Sequence, residues 1–98
     1  MIVEYLRYTI PDGQQADFIR DYTAAIAPLM RSPFAENIEI CQCVEDETQF
    51  ILRIEWTSAE DHLQGFRNSA EFREFFGHIR KYVSSIDEMR HYRRVAQA

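Results

Sequence analysis

The chain has 98 residues, with eleven Lys+Arg against sixteen Asp+Glu, a formal charge of −5 and a hydrophobic fraction of 46%. That length predicts one domain over residues 1–98, since compact domains commonly run to roughly 100–150 residues. The acidic balance argues against a nucleic-acid binder or a polybasic membrane-surface protein, and the apolar content argues against disorder.

From Ile2 to Ile10 the chain is rich in β-formers and reads as a strand, closed by the turn signal Pro11-Asp12-Gly13. Phe18, Tyr22, Ala25, Ile26, Leu29 and Met30 then recur at three- and four-residue spacing, the stripe of an amphipathic helix that starts near Gln14. Pro28 lacks an amide hydrogen and is expected to kink or restart that helix, and Ser32-Pro33 ends it. Asn37 to Glu45 reads as a second strand, with Ile38, Ile40 and Val44 on one face and Cys41 and Cys43 on the other. The acids Glu45-Asp46-Glu47 make a solvated hairpin turn. Gln49 to Thr57 follows, where Phe50, Leu52, Ile54 and Trp56 alternate with Ile51, Arg53 and Glu55 in the clearest period-two pattern of the chain.

Ser58 followed by Glu60-Asp61 resembles a capping box and opens a short helix with His62, Leu63 and Phe66. Ser69 opens a longer helix whose stripe is Phe72, Phe75, Phe76, Ile79, Tyr82 and Val83. Ile86 to Val95 reads as the last strand despite its charge. The order β-α-β-β-α-β predicts an α+β, ferredoxin-like sandwich with an antiparallel sheet and helices on one face. Val3, Tyr5, Ile51, Cys41 and Cys43 would then leave the open face half apolar, from which a homodimer through the sheet is inferred.

Several function classes lack their residues. The three histidines have no metal spacing along the chain, and Cys41-x-Cys43 has no second ligand pair, so no metal is expected. The two thiols read as small buried apolar groups. Only Gly13, Gly65 and Gly77 are present, too few for a phosphate-binding loop. No run reaches the roughly 18–20 apolar residues of a membrane span, so no membrane partner is expected. The opening Met1-Ile2-Val3-Glu4-Tyr5 lacks a basic stretch before an apolar one, so the expected setting is the cytoplasm with reduced thiols.

At Glu55-Trp56-Thr57-Ser58-Ala59-Glu60, followed by Phe66, Ser69 and Phe72, the sequence resembles the antibiotic biosynthesis monooxygenase family. The resemblance implies a dimeric α+β barrel. The members it implies include cofactor-independent monooxygenases that oxidise polycyclic phenols to quinones, quinol monooxygenases and haem-degrading enzymes, beside many with no known activity. The family carries a histidine about nine residues after the tryptophan; here that position is Gly65, and His62 lies one turn earlier.

The expected function is therefore oxidation of a phenolic or hydroquinone-type aromatic by dioxygen, with no cofactor. Trp56, Phe66, Phe72 and Phe76 would wall the small aromatic molecule, although Trp56 equally suits a core position. His91 is the first candidate base and His62 the second, since imidazole titrates near 6.5; the alternative for His91 is a solvated or structurally paired histidine, and His62, beside Asp61 at a helix start, is otherwise expected on the surface. Tyr5, Tyr8 or Arg7 would hold the developing anion. The rival reading is a non-catalytic small-ligand-binding or accessory domain, with haem degradation third. The volume between helices and sheet is the discriminating observation: roughly 300 Å³ or more is ligand-sized.

Overall fold

The computed structural model describes residues 1–98. Four strands, β1 (Ile2–Thr9), β2 (Ala35–Gln42), β3 (Gln49–Trp56) and β4 (Ile86–Arg93), form one antiparallel sheet in the order β2-β3-β1-β4. Two helices, α1 (Gln15–Arg31) and α2 (Ala70–Ile79), pack on one face. This is the expected ferredoxin-like α+β arrangement, and it puts β1 and β3 at the centre of the sheet.

Strand parity sorts the residues. On β1, Glu4, Leu6 and Tyr8 point toward the helices, as do Phe50, Leu52, Ile54 and Trp56 on β3, and all seven are buried. Facing them from α1 are Phe18, Tyr22, Ala25 and Leu29, and from α2 Phe75 and Ile79. The rings pack closely: Phe18 lies 4.7–5.0 Å, centroid to centroid, from Tyr8, Tyr22, Phe50 and Tyr82, tilted against the first three and edge-on to Tyr82. Each aromatic side chain buried this way removes on the order of 150–250 Å² from water, which is the main source of cohesion in so short a chain.

Several local expectations are corrected. Helix α1 continues through Pro28 to Arg31 and does not restart there; the carbonyl that Pro28 leaves unpaired belongs to Ala24 on the solvent side, where water can serve it. Met30 points outward from that helix. Strand β2 stops at Gln42, so Val44 is 92% exposed instead of sharing the face of Ile38 and Ile40. Cys41 is exposed and Cys43 half-buried, not packed as core groups, and both are free thiols. The second long helix ends at Ile79 and tightens into a 3₁₀ segment over Arg80–Ser85. Strand β4 ends at Arg93; as an edge strand it tolerates the charges that obscured it in the sequence. No helix is long and apolar enough to cross a membrane.

Candidate active site between the sheet and the helices

A cavity of about 210 Å³ lies between the inner face of the sheet and the helices. Trp56, Phe66, Phe72 and Phe76 line it, while Leu6 and Leu52 are among its floor residues. Its volume is below the roughly 300 Å³ that begins the range for drug-sized ligands. It exceeds the cavity of about 150 Å³ that accepts benzene in another protein. One or two fused rings match that space.

Trp56 ends β3 fully buried, and its indole N–H donates to Glu4 Oε1 at 3.0 Å. Its ring stacks on His62, centroids 4.3 Å apart and 14° from parallel, so it is both a core residue and a pocket wall. His62, expected on the surface, is only 4% exposed. The Asp61 N–H donates to Ser58 Oγ at 2.9 Å, which opens the following turn. That turn is wide over Asp61–Gly65, then tightens over Phe66–Asn68, and it carries both His62 and Phe66 inward. A Cβ at Gly65 would stand 2.6 Å from the Phe34 ring, so any larger residue there would have to push that ring aside.

His91 is opposite Glu4 in the β1–β4 register and therefore shares its face. His91 Nε2 lies 2.6 Å from His62 Nδ1, and His62 Nε2 lies 3.6 Å from Glu4 Oε1. The three side chains form a line from the cavity wall, which includes Glu4 and His62, to the half-buried His91 behind it. Burial pushes the Glu4 carboxyl up to about 7, opposed in part by the Trp56 hydrogen bond and the Arg67 charge. Burial also drives His62 down to about 3, with His91 and Arg67 adding to the effect. His91 is lowered too, by burial first and Arg67 second. Near neutrality both imidazoles are uncharged, and Glu4 is the group whose proton comes and goes.

One ligand atom from each of Glu4, His62 and His91 lies within 4.8 Å of the others. Spacing along the sequence concealed this grouping, because its members come from β1, β4 and the turn after β3. Two neutral imidazoles and a carboxylate are a donor set a divalent metal accepts. The positive Arg67 at the cavity wall opposes a cation, and the hydrogen bond between the imidazoles occupies two of the donors.

The remaining candidates separate. Tyr8 lines the cavity and is hydrogen-bonded to Tyr22 of α1. Tyr5 and Arg7 occupy the opposite face of β1, so neither reaches the cavity; Tyr5 instead accepts a hydrogen bond from Arg53 Nε at 3.3 Å and packs edge-on against Tyr92. Sequence reasoning passed over Glu4, Tyr22 and Arg67. Glu4 had a usable signal, since it shares parity with Leu6 and Tyr8 on a strand whose other inward residues are apolar.

The chain is similar to several known proteins. The family model described as antibiotic biosynthesis monooxygenase matches residues 1–77. The uncharacterised protein YczJ of Bacillus subtilis is 26% identical over 98 residues, covering 97% of this chain and 100% of YczJ. SchA of Streptomyces halstedii is 30% identical over 86 residues, which cover 88% of this chain but 22% of SchA. A Bordetella bronchiseptica structure assigned to the same monooxygenases superposes with a TM-score of 0.80 at 22% identity, covering 97% of each chain. SnoaB of Streptomyces nogalater, a cofactor-independent oxygenase, superposes at 0.71 and 14% identity, covering 99% of this chain and 94% of its own. These structural likenesses show the fold, and the family match over most of the length goes further: the chain belongs to the antibiotic biosynthesis monooxygenase family.

Proposed function

We propose that the protein oxidises a small phenolic or hydroquinone-type aromatic with dioxygen, using no cofactor. The observation that carries this reading is a ring-lined cavity with a buried proton acceptor, Glu4, in its wall and two neutral histidines behind it. Transfer of the phenol proton to ionised Glu4 leaves an electron-rich phenolate, which gives one electron to dioxygen. The resulting phenoxyl radical and superoxide, with the proton returned, combine as a carbon-bound hydroperoxide. Loss of water from it gives the quinone, so one phenol and one dioxygen become one quinone and one water. The role of the protein is to exclude water, orient the ring and move the proton. Tyr8 and Arg67 both lie in the cavity wall, and Arg67, whose charge is felt at Glu4, is placed to meet the developing anion; Tyr5 and Arg7 do not reach the cavity. The family match and the activity of the SnoaB relative support this reading.

Anaerobic incubation tests it, since turnover that persists without dioxygen overturns it. Turnover should also survive exhaustive chelation; loss on chelation with recovery on adding one divalent metal would make Glu4, His62 and His91 a ligand set instead. The low basicity of His62 favours, as a second reading, a domain that binds a small aromatic without transforming it. Binding with no oxygen uptake over any pH distinguishes that case. A tetrapyrrole exceeds the one- or two-ring volume, which weighs against haem degradation. The reading includes a homodimer through the outer face of the sheet, where Tyr92 and Ile51 are exposed; the mass in solution tests it.

A further inference from the structure

The cavity has a second polar station besides Glu4. Tyr8 and Tyr22, both no more than 1% exposed, meet hydroxyl to hydroxyl and both line the cavity. Two phenols carry two O–H protons, and the bond between them uses one. Neither hydroxyl has another hydrogen-bond partner, so the second proton has no acceptor in the protein. Both phenols titrate above the ordinary tyrosine value, through burial first, so both protons are retained well into alkaline solution. An O–H left unpaired in an apolar cavity costs on the order of 1–3 kcal/mol, which a ligand oxygen would recover. The bond between the two hydroxyls polarises the outward O–H and makes it a better donor. Glu4 and Tyr8 are four residues apart on β1 with their side chains on one face, so the stations stand about 13 Å apart at the backbone, with Leu6 between them.

We propose that the Tyr8–Tyr22 hydroxyl pair is a ligand-binding station that donates a hydrogen bond to an oxygen at the far end of the bound aromatic, so that the preferred ligand carries oxygens at opposite ends of one or two fused rings. This rests on the reading of the cavity as a phenol site: one oxygen gives its proton to Glu4, and the other accepts from the tyrosine pair. The pair acts as a positioning and specificity element, fixing which edge of the ring faces the base. A phenol with a single oxygen fits the same walls without that anchor.

The test uses the single tryptophan as the reporter, because Trp56 forms part of the wall. Quenching of its fluorescence is titrated anaerobically with 1-naphthol and with 1,5-dihydroxynaphthalene, on the native chain and on the double variant Y8F/Y22F. The native chain should bind the diol about tenfold more tightly than the mono-ol, the effect of one added hydrogen bond. The double variant should bring the two affinities within twofold and leave that of 1-naphthol unchanged. Replacing both hydroxyls by groups of the same shape leaves no orphaned partner, so the variant is expected to fold, which a melting curve checks. A diol preference under twofold in the native chain, or one that survives in Y8F/Y22F, overturns the tyrosine station while leaving the phenol site standing. Absence of binding by either naphthol overturns the phenol site itself.

Discussion

Two glutamates, one on each face of the central strands, have opposite fates. Glu4 on β1 points toward the helices and Glu55 on β3 toward the open face; their side chains are 3% and 10% exposed. Glu55 is held by Arg53 at 2.8 Å and Arg94 at 3.5 Å, and the Arg53 hydrogen bond lowers its carboxyl below the ordinary range. Glu4 receives a neutral indole N–H and faces a neutral imidazole, so burial prevails and raises it to about 7. Burial of a carboxylate therefore does not by itself make a base. What distinguishes the two is that Glu4 lies in the apolar interior with Arg67 acting only at a distance, whereas Glu55 lies at the open face in direct contact with Arg53 and Arg94, so of the two only Glu4 is arranged to exchange a proton near neutrality.

Changing each acid in turn would break this comparison if it were mistaken. Glu4→Gln keeps an acceptor for the Trp56 N–H but cannot take a proton, so kcat/KM for a phenolic substrate should fall by about 10²–10⁴-fold. In the native chain kcat/KM should rise with pH through about 7 as Glu4 ionises, and the variant should lose that step. A rise with the same midpoint in Glu4→Gln would remove Glu4 from the role of base.

Stability gives a sharper and smaller signal. An ordinary glutamate titrates near 4.5, so a folded value of about 7 means that the folded state favours the protonated form. The benefit is complete below about pH 4.5 and is lost as pH rises through 7, a change of about 3 kcal/mol. His62 acts in the other direction: its folded value of about 3 against an ordinary 6.5 means that stability is complete above 6.5 and is lost as pH falls toward 3. The two slopes oppose each other between about 4.5 and 6.5, which predicts a nearly flat stability curve in that window. Glu4→Gln removes one slope, so its melting temperature should fall steeply on acidification from pH 6.5; a curve parallel to the native one would contradict the assignment.

The sheet and both major helices were legible in the sequence because period-two and period-3.6 patterns reflect a buried face directly, as in Phe50-Leu52-Ile54-Trp56. Four residues of the site were legible through the aromatic walls alone, Trp56, Phe66, Phe72 and Phe76, since a large ring on an inward face must line whatever space is there. The chemistry was much less legible. A histidine beside an aspartate at a helix start reads as a surface residue, whereas the wide turn over Asp61–Gly65 carries His62 inward. Pairings such as His62 with His91, or Tyr8 with Tyr22, join elements distant in the chain, and local patterns do not encode them.

That dependence on one turn can be probed at Gly65. Adding a single methyl group there meets the Phe34 ring at 2.6 Å. Phe34 is half-buried and its ring edge can swing, so Gly65→Ala should cost about 1 kcal/mol, at the low end for overpacking, measurable as a lowered melting temperature. Activity should fall further than that cost explains, because His62 and Phe66 ride on the same turn. A variant with a lowered melting temperature and native turnover would separate the turn from the site.

The smallest effect is expected at Glu55. Glu55→Gln removes the charge that Arg53 and Arg94 share but leaves an amide oxygen to accept from Arg53, and it touches nothing in the cavity. Turnover and its pH profile should therefore stay within twofold of native. Because pairing lowers the folded titration of Glu55, its contribution to stability is present above the ordinary glutamate value and disappears as pH falls. The variant should accordingly be less stable than the native chain at pH 7 and converge with it in acid, the reverse of the Glu4→Gln pattern. If both variants shifted in the same direction with pH, the two faces would not be electrostatically distinct, and the argument that Glu4 is the base because it is buried without a directly paired cation would fail with them.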